Sequence, residues 1–185
     1  MTTVISNEGF ESFGSMEGIT ISNSCKEATI NSDVDLKVKI ECVHVLVAKI
    51  DYLFLLKNQQ KISPSEFNTR LVDLFSYVDL ATTEINQYTF WDSKKPYTRN
   101  LMALDSANYS LLILCWTNGK ESKIHNHPGE GCYMKTIRGS VRETRYAIEP
   151  TTGEITQTGI KFLSEGQGAF TFHYFVFIDL GECIV

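Results

Sequence analysis

The chain has 185 residues and a formal net charge of −5, and 43% of its residues are hydrophobic. This length is enough for one domain with a buried core. The lysines and arginines form no stripe and no apolar run is long enough to cross a bilayer, so we expect neither a nucleic-acid partner nor a membrane span. Residues 1–7 lack the basic and apolar parts of a secretory signal, and we therefore expect a cytoplasmic protein.

Composition divides the chain into a short tail and one domain. Residues 1–30 are rich in Ser, Asn, Thr, Gly and Glu, which predicts a flexible N-terminal tail. Residues 31–185 form a single predicted domain with a helical part at 31–90 and a β part at 91–185. The five cysteines are odd in number and widely spaced, which favours reduced thiols over a disulfide framework.

Two helices are predicted in the first part. From Leu36 to Phe54, apolar residues recur at helical spacing, although residues 34–40 also alternate in the manner of a strand. The segment Ser63-Pro64-Ser65-Glu66 predicts the start of a second helix, with Ser63 as N-cap and Pro64 in the first turn. Glu66 can complete a capping box.

After Pro96, short apolar runs separated by Gly-containing turns predict antiparallel strands. The predicted strands are 111–116, 132–137, 141–148, 155–163 and 169–178.

The most informative pattern is G-x5-H-x-H-x4-C-x6-G, formed by Gly119, His125, His127, Cys132 and Gly139. Residues two apart in a strand point to the same side, so the two imidazoles can converge on one metal ion. The run 111–114 would lead into a turn at 118–120, and the run 132–137 would return antiparallel beside it.

This pattern is similar to the first half of the cupin signature, with Cys132 where a glutamate is usual. Together with the surrounding segments it resembles the cysteine dioxygenase family. The segments that carry this resemblance are Tyr97-Thr98-Arg99-Asn100, Leu111-Leu112-Ile113-Leu114-Cys115-Trp116 and Gly139-Ser140-Val141-Arg142-Glu143-Thr144.

The resemblance implies an α+β, mainly β fold, with N-terminal helices packed on a cupin-type β-barrel or sandwich (a double-stranded β-helix). It implies a monomeric enzyme with one non-haem Fe(II) that adds both atoms of O2 to L-cysteine. The product would be cysteine sulfinic acid, in the taurine and sulfate branch of L-cysteine catabolism.

The resemblance also assigns roles to residues. His125 and His127 would be two of three histidine ligands to iron, and Arg99 would hold the substrate carboxylate. Tyr97 would line the pocket, and Cys132 would form a thioether bond to a tyrosine beside the iron.

The resemblance fades after Phe170. The third histidine is not found at its family position, because His173 comes too early, and the tyrosine partner of Cys132 is also missing. We therefore expect a barrel that is incomplete at its C-terminal end, as in a truncated variant. Two alternatives stay open: a related thiol dioxygenase acting on a mercapto acid, and an inactive cupin-like module without turnover.

Overall fold

The computed structural model describes residues 2–6, 36–126, 131–171 and 175–179. Within them, three helices lie between residues 43 and 87, and all strands but one follow residue 96. In chain order the elements are β1 (Thr2–Ser6), α1 (Val43–Asn58), α2 (Pro64–Ser76), α3 (Thr82–Gln87), β2 (Tyr97–Asp105), β3 (Tyr109–Trp116), β4 (His125–Asn126), β5 (Cys132–Thr136), β6 (Ser140–Ile148), β7 (Ile155–Ser164), β8 (Gly168–Thr171) and β9 (Phe175–Asp179). In this part of the chain, no helix is long and apolar enough to cross a membrane.

Helix α1 begins later than its apolar spacing predicts. Leu46, Ile50 and Leu53 are fully buried at helical spacing, but the helix starts at Val43 rather than Leu36. The preceding Ile40 forms an isolated parallel bridge with Val78, which holds the backbone extended there. The predicted helix was therefore wrong for residues 36–42, where long-range pairing outweighs local spacing.

The predicted start of α2 is confirmed. The Oγ of Ser63 accepts a hydrogen bond from the backbone N–H of Glu66 at 3.1 Å, and Pro64 occupies the first turn. This contact satisfies one of the amide groups that lack an intrahelical partner at a helix N-terminus. The carboxylate of Glu66 pairs with Arg70 at 2.6 Å, one turn further along the helix.

The described strands form two antiparallel sheets. Sheet 1 has the order β2-β3-β1-β5-β8 and sheet 2 has the order β4-β9-β6-β7. The predicted antiparallel pairing of 111–114 with 132–137 is wrong, because β1 lies between β3 and β5 and pairs with both. Residues Thr2–Ser6 were predicted to belong to a flexible tail, but the structure places them in strand β1. Four of these five residues are β-branched, and β-branched residues favour strands. Residues 7–30 lie outside the described part, and the division into domains stays a prediction.

Strands β3 and β5 of sheet 1 are buried on both faces, and the two faces have different neighbours. On the outer face, the residues Leu111, Ile113 and Tyr133 pack against the helices in one apolar cluster. On the inner face, Leu112, Leu114, Trp116, Cys132 and Met134 pack against Val141 and Leu163 of sheet 2 in a second cluster. The near-continuous apolar run of β3 follows from this double burial. The inner face of each sheet is the side that carries this second cluster.

The α+β class with antiparallel sheets is as expected. Of the predicted barrel or sandwich, the described strands form two packed sheets and no closed barrel, and the cupin assignment stays a prediction. The last predicted strand, 169–178, is divided between β8 in sheet 1 and β9 in sheet 2. The turns were placed well, because Gly119, Gly139 and Gly153 all adopt the positive φ values that a side chain resists.

Candidate functional site

His125 stands in β4, a two-residue strand at the edge of sheet 2. It lies opposite Val176 of β9, which in turn lies opposite Arg145 of β6. Residues directly opposite in an antiparallel sheet share a face, and Arg145 shares its face with Val141, which packs in the inner-face cluster. His125 therefore lies on the inner face, with an exposed side chain.

The ring of His125 is oriented by its own backbone neighbourhood. Its Nδ1 lies 2.8 Å from the carbonyl oxygen of Lys123. A carbonyl only accepts, so Nδ1 carries the proton in this contact, and the tautomer of the neutral imidazole that fits it has its lone pair on Nε2. Metal-binding histidines commonly have this arrangement, in which a hydrogen bond at one ring nitrogen fixes the tautomer for coordination by the other. The described part of the proposed ligand pair therefore fits a divalent metal such as Fe(II).

His127, the second histidine of the motif, lies outside the described residues, as does His173. The structure therefore leaves their predicted roles untested. The other described histidine, His44, belongs to α1 and is not part of the motif.

Tyr97 and Arg99 stand on β2, the edge strand of sheet 1. They lie opposite Trp116 and Leu114 respectively, both of which belong to the inner-face cluster. The Tyr97 ring packs 5.4 Å from the Trp116 ring, centroid to centroid. Arg99 is exposed, as expected for a side chain at an uncovered edge.

Cys132 begins β5 and is only 3% exposed. Its side chain packs in the same inner-face cluster as Tyr97, and it forms no disulfide. Sheet topology thus brings Tyr97, Arg99 and Cys132 to the inner face of one sheet and His125 to the inner face of the other. The thioether bond of Cys132 stays a prediction.

Glu143 is a buried carboxylate that the sequence analysis did not single out. It is 0% exposed on the inner face of β6, and its Oε2 accepts a hydrogen bond from Nη2 of Arg145 at 3.0 Å. A carboxylate is rarely buried without a charged partner. Glu143 lies two residues after the apolar Val141, so in a strand both side chains lie on one face. This spacing is the sequence feature that could have predicted the burial of Glu143.

A second group of metal-capable atoms lies at the N-terminus of α1. One ligand atom from each of Cys42, His44 and Glu84 falls within 4.8 Å of the others. Cys42 is disulfide-bonded, although the cysteine spacing favours reduced thiols over a disulfide framework, so its sulfur is not a thiolate ligand in this state. Glu84 accepts a hydrogen bond from the backbone N–H of Val43 at 3.1 Å, which caps the helix. We therefore assign this group a structural role.

The cleft of about 660 Å³ on the helical side of sheet 1 is not the motif site. It is lined by charges of both signs, including Lys39, Asp79, Lys135 and Glu165. Lys39 pairs with Asp79 at 3.1 Å, and Lys135 is engaged by the end of α2. Lys39, Asp79 and Lys135 thus have partners within the fold itself.

Comparison with known proteins bears on the motif directly. A family model described as cysteine dioxygenase type I matches residues 48–173. Cysteine dioxygenase type 1 of Homo sapiens is 34% identical over 89 residues, which are 48% of this chain and 44% of that protein. The Bos taurus protein of the same name is 35% identical over 75 residues, or 40% of this chain and 38% of that protein. The Danio rerio protein is 40% identical over 50 residues, or 27% of this chain and 25% of that protein.

The matched region spans less than half the length of these curated relatives. The family model nevertheless covers more than half of this chain, and it includes the β2 segment and the whole histidine motif. The chain belongs to the cysteine dioxygenase type I family.

Proposed function

We propose that the chain is an iron-dependent thiol dioxygenase that converts L-cysteine and O2 to cysteine sulfinic acid. The observation that carries this proposal is the convergence of the family's motif positions on the inner faces of two packed sheets. One sheet supplies Tyr97, Arg99 and Cys132, and the other supplies His125. Both oxygen atoms of O2 become bonded to the substrate sulfur, so the thiol RSH becomes RSO2H without a further reductant.

The iron ligands in this proposal are His125 and His127. The hydrogen bond from Nδ1 of His125 to the Lys123 carbonyl supports coordination through Nε2. Bound Fe(II) would supply the one-electron chemistry that O2 needs to react with a thiolate. The third protein ligand is not identified among the described residues.

The substrate would be held by residues of β2. The guanidinium of Arg99 can grip a carboxylate through two parallel hydrogen bonds, which fixes the substrate's orientation as well as its position. Tyr97 lies two residues along the same face and packs against Trp116, so it forms an aromatic wall beside the carboxylate position. Holding the thiol at a fixed position relative to O2 makes a bimolecular reaction effectively unimolecular, which lowers the entropic part of its barrier. The resemblance gives Cys132 a thioether bond to a tyrosine beside the iron; this role stays a prediction, since no tyrosine stands at the family's partner position.

The test uses protein reconstituted anaerobically with Fe(II), followed by measurement of bound iron, cysteine-dependent O2 uptake and sulfinate formation. We expect iron binding and one sulfinate per O2 consumed. His125→Ala should abolish both iron binding and uptake, whereas His44→Ala, which removes a histidine outside the motif, should preserve them. A wild-type chain that binds no iron and consumes no O2 would refute the proposal and favour the inactive cupin-like module.

A mercapto acid is the competing substrate class. Competition between L-cysteine and 3-mercaptopropionate for O2 uptake separates the two. A preference for the thiol that lacks an amine would assign the chain to the related class of thiol dioxygenases.

A further inference from the structure

The indole N–H of Trp116 is a buried hydrogen-bond donor that the fold leaves unsatisfied. Trp116 is 1% exposed, and its Nε1 has no hydrogen-bond partner in the part of the chain that the structure describes. Indole has a single donor and no acceptor, so it has no second polar atom through which to recover the loss. Leaving such a donor unpaired is unfavourable because its desolvation is not compensated, and buried tryptophans usually find a partner for this group.

The surroundings of Trp116 indicate where a partner would come from. Trp116 ends β3 on the inner face, in the same cluster as Cys132 and beside the ring of Tyr97. Arg99 is the diagonal cross-strand neighbour of Trp116, since it lies opposite Leu114 two residues away. Diagonal neighbours in an antiparallel pair are about 7–8 Å apart, which long side chains can bridge.

The guanidinium of Arg99 is charged and the indole N–H of Trp116 is neutral, but both donate hydrogen bonds to oxygen acceptors. A guanidinium and an indole N–H separated by one diagonal step can both donate to a single small carboxylate. Nε of Arg142 and Nε of Arg145 also have no hydrogen-bond partner among the described residues, but they belong to guanidinium groups with several donors, and both side chains make other contacts. Arg145 already uses Nη2 to bind Glu143. Trp116 is therefore the donor for which an external acceptor matters most.

We propose that Nε1–H of Trp116 donates to the carboxylate of the bound thiol substrate, beside Arg99, and thereby contributes to recognition of carboxylate-bearing thiols. This inference rests on the proposed function, because it assigns a further substrate contact in the same site.

The kinetic test compares Trp116→Phe with wild type on three thiols. Phenylalanine keeps an aromatic ring in the cluster and removes the donor. We expect KM for L-cysteine and for 3-mercaptopropionate to rise about tenfold, equivalent to about 1.4 kcal/mol, with little change in kcat. O2 uptake with cysteamine, which has no carboxylate, should not change. Equal losses with all three thiols would indicate a packing role only and would overturn the inference.

A spectroscopic test keeps Trp116 in place and so does not depend on the folding of that variant. The chain has two tryptophans, and Trp91 is 43% exposed on the surface. In Trp91→Phe, ultraviolet resonance Raman spectra report Trp116 alone, including the indole band that is sensitive to hydrogen bonding at the N–H. We expect this band to shift on anaerobic addition of L-cysteine to the Fe(II) protein and to stay unchanged with cysteamine.

The outcomes separate this inference from the proposed function. If the band does not shift on addition of cysteine in protein that oxidises cysteine normally, the Trp116 contact is wrong and the proposed function still holds. An ordered water that is always bound to the indole N–H would give this result. A band shift with cysteine in protein that consumes no O2 would support the contact and refute the oxygenase. Failure of both readouts would overturn both.

Discussion

Lys135 is a buried lysine whose replacement tests how the sheet and the helices are held together. It lies on the outer face of β5 and is 6% exposed. Its Nζ donates to the carbonyl oxygens of Phe75 at 3.0 Å and Ser76 at 3.1 Å, at the C-terminal end of α2. These carbonyls lie at the partially negative end of a helix, where a cation is favourable. Lys135→Met retains the length and bulk of the side chain and removes the ammonium.

The expected loss follows from these contacts. Hydrogen bonds from a charged donor contribute about 1.5–3 kcal/mol each. Part of this is offset because methionine is buried without the desolvation cost of an ammonium, and because Phe75 O retains a second donor, the N–H of Val78 at 3.3 Å. We expect a net decrease of about 2 kcal/mol in the free energy of unfolding, which corresponds to about 4–8 °C in Tm for a chain of this size.

Urea unfolding of wild type and variant measures this difference. Lys161→Met is the matched control, because Lys161 is exposed and, among the described residues, its Nζ makes one hydrogen bond, of 3.3 Å, to the Gly168 carbonyl. The control should change the free energy of unfolding by less than about 0.5 kcal/mol. If Lys135→Met is as stable as the control, the two contacts with α2 do not stabilise the fold and the reasoning fails.

A pH series adds a second, independent measurement. Burial lowers the pKa of Lys135, with Asp79 acting in the opposite direction. The unfolded chain then binds the proton more tightly than the folded chain, so this group makes stability rise with pH in the window just below pH 10.5, its ordinary pKa. Wild type should show this rise relative to Lys135→Met, and parallel pH profiles for the two proteins would contradict it.

Two further predictions concern other parts of the fold. Tyr109 is buried and its hydroxyl donates to Oδ1 of Asp51 at 2.6 Å, so Tyr109→Phe should lower the free energy of unfolding in urea by about 1–3 kcal/mol. Burial, together with Asp51, raises the pKa of Tyr109 above 10.0. Wild type should therefore lose stability as pH rises past 10, and the variant should lose less; identical alkaline profiles would refute this. Gly153→Ala, at a φ of +71° with open space around it, should cost about 1–2 kcal/mol from backbone strain alone. Gly159→Ala, equally open and without a positive φ, should be neutral or slightly stabilising in the same unfolding assay, and equal losses at both glycines would exclude strain as the cause.

Parts of the fold that depend on the conformational preferences of a few adjacent residues could be predicted from the sequence. The start of α2 depends on Ser63 and Pro64 alone, and the turns depend on glycines that adopt positive φ. The start of α1 could not be read in this way, because it is decided by the pairing of Ile40 with Val78, which are distant in sequence. The position of β1 is a stronger case, since nothing in its five residues specifies two partners more than one hundred residues away.

The candidate site was predictable to the extent that spacing implies a shared face. The family resemblance named Tyr97 and Arg99, although no strand was predicted for them. The alternation of β2 in the structure puts both on one side, and the register of β2 with β3 brings them to the side that carries Cys132. The unsatisfied N–H of Trp116 was not predictable, because it depends on which neighbours are absent rather than on which residues are present. Coordination by His127 stays a prediction.

The insertion of β1 between β3 and β5 has a consequence for the order in which the molecule folds. Thr2 lies opposite both Leu114 and Thr136. The loop that each pairing closes contains all three helices, since they lie between β1 and β3 in the sequence. Contacts between residues so distant in sequence form slowly, because the entropy lost in closing a long loop precedes any gain. The helices and the β6–β7 hairpin can form from local contacts, whereas the centre of sheet 1 consolidates last. Until then, β3 and β5 each expose an unpaired edge that can pair with another chain. Refolding yield should therefore be limited by protein concentration, since intermolecular pairing competes with the arrival of β1.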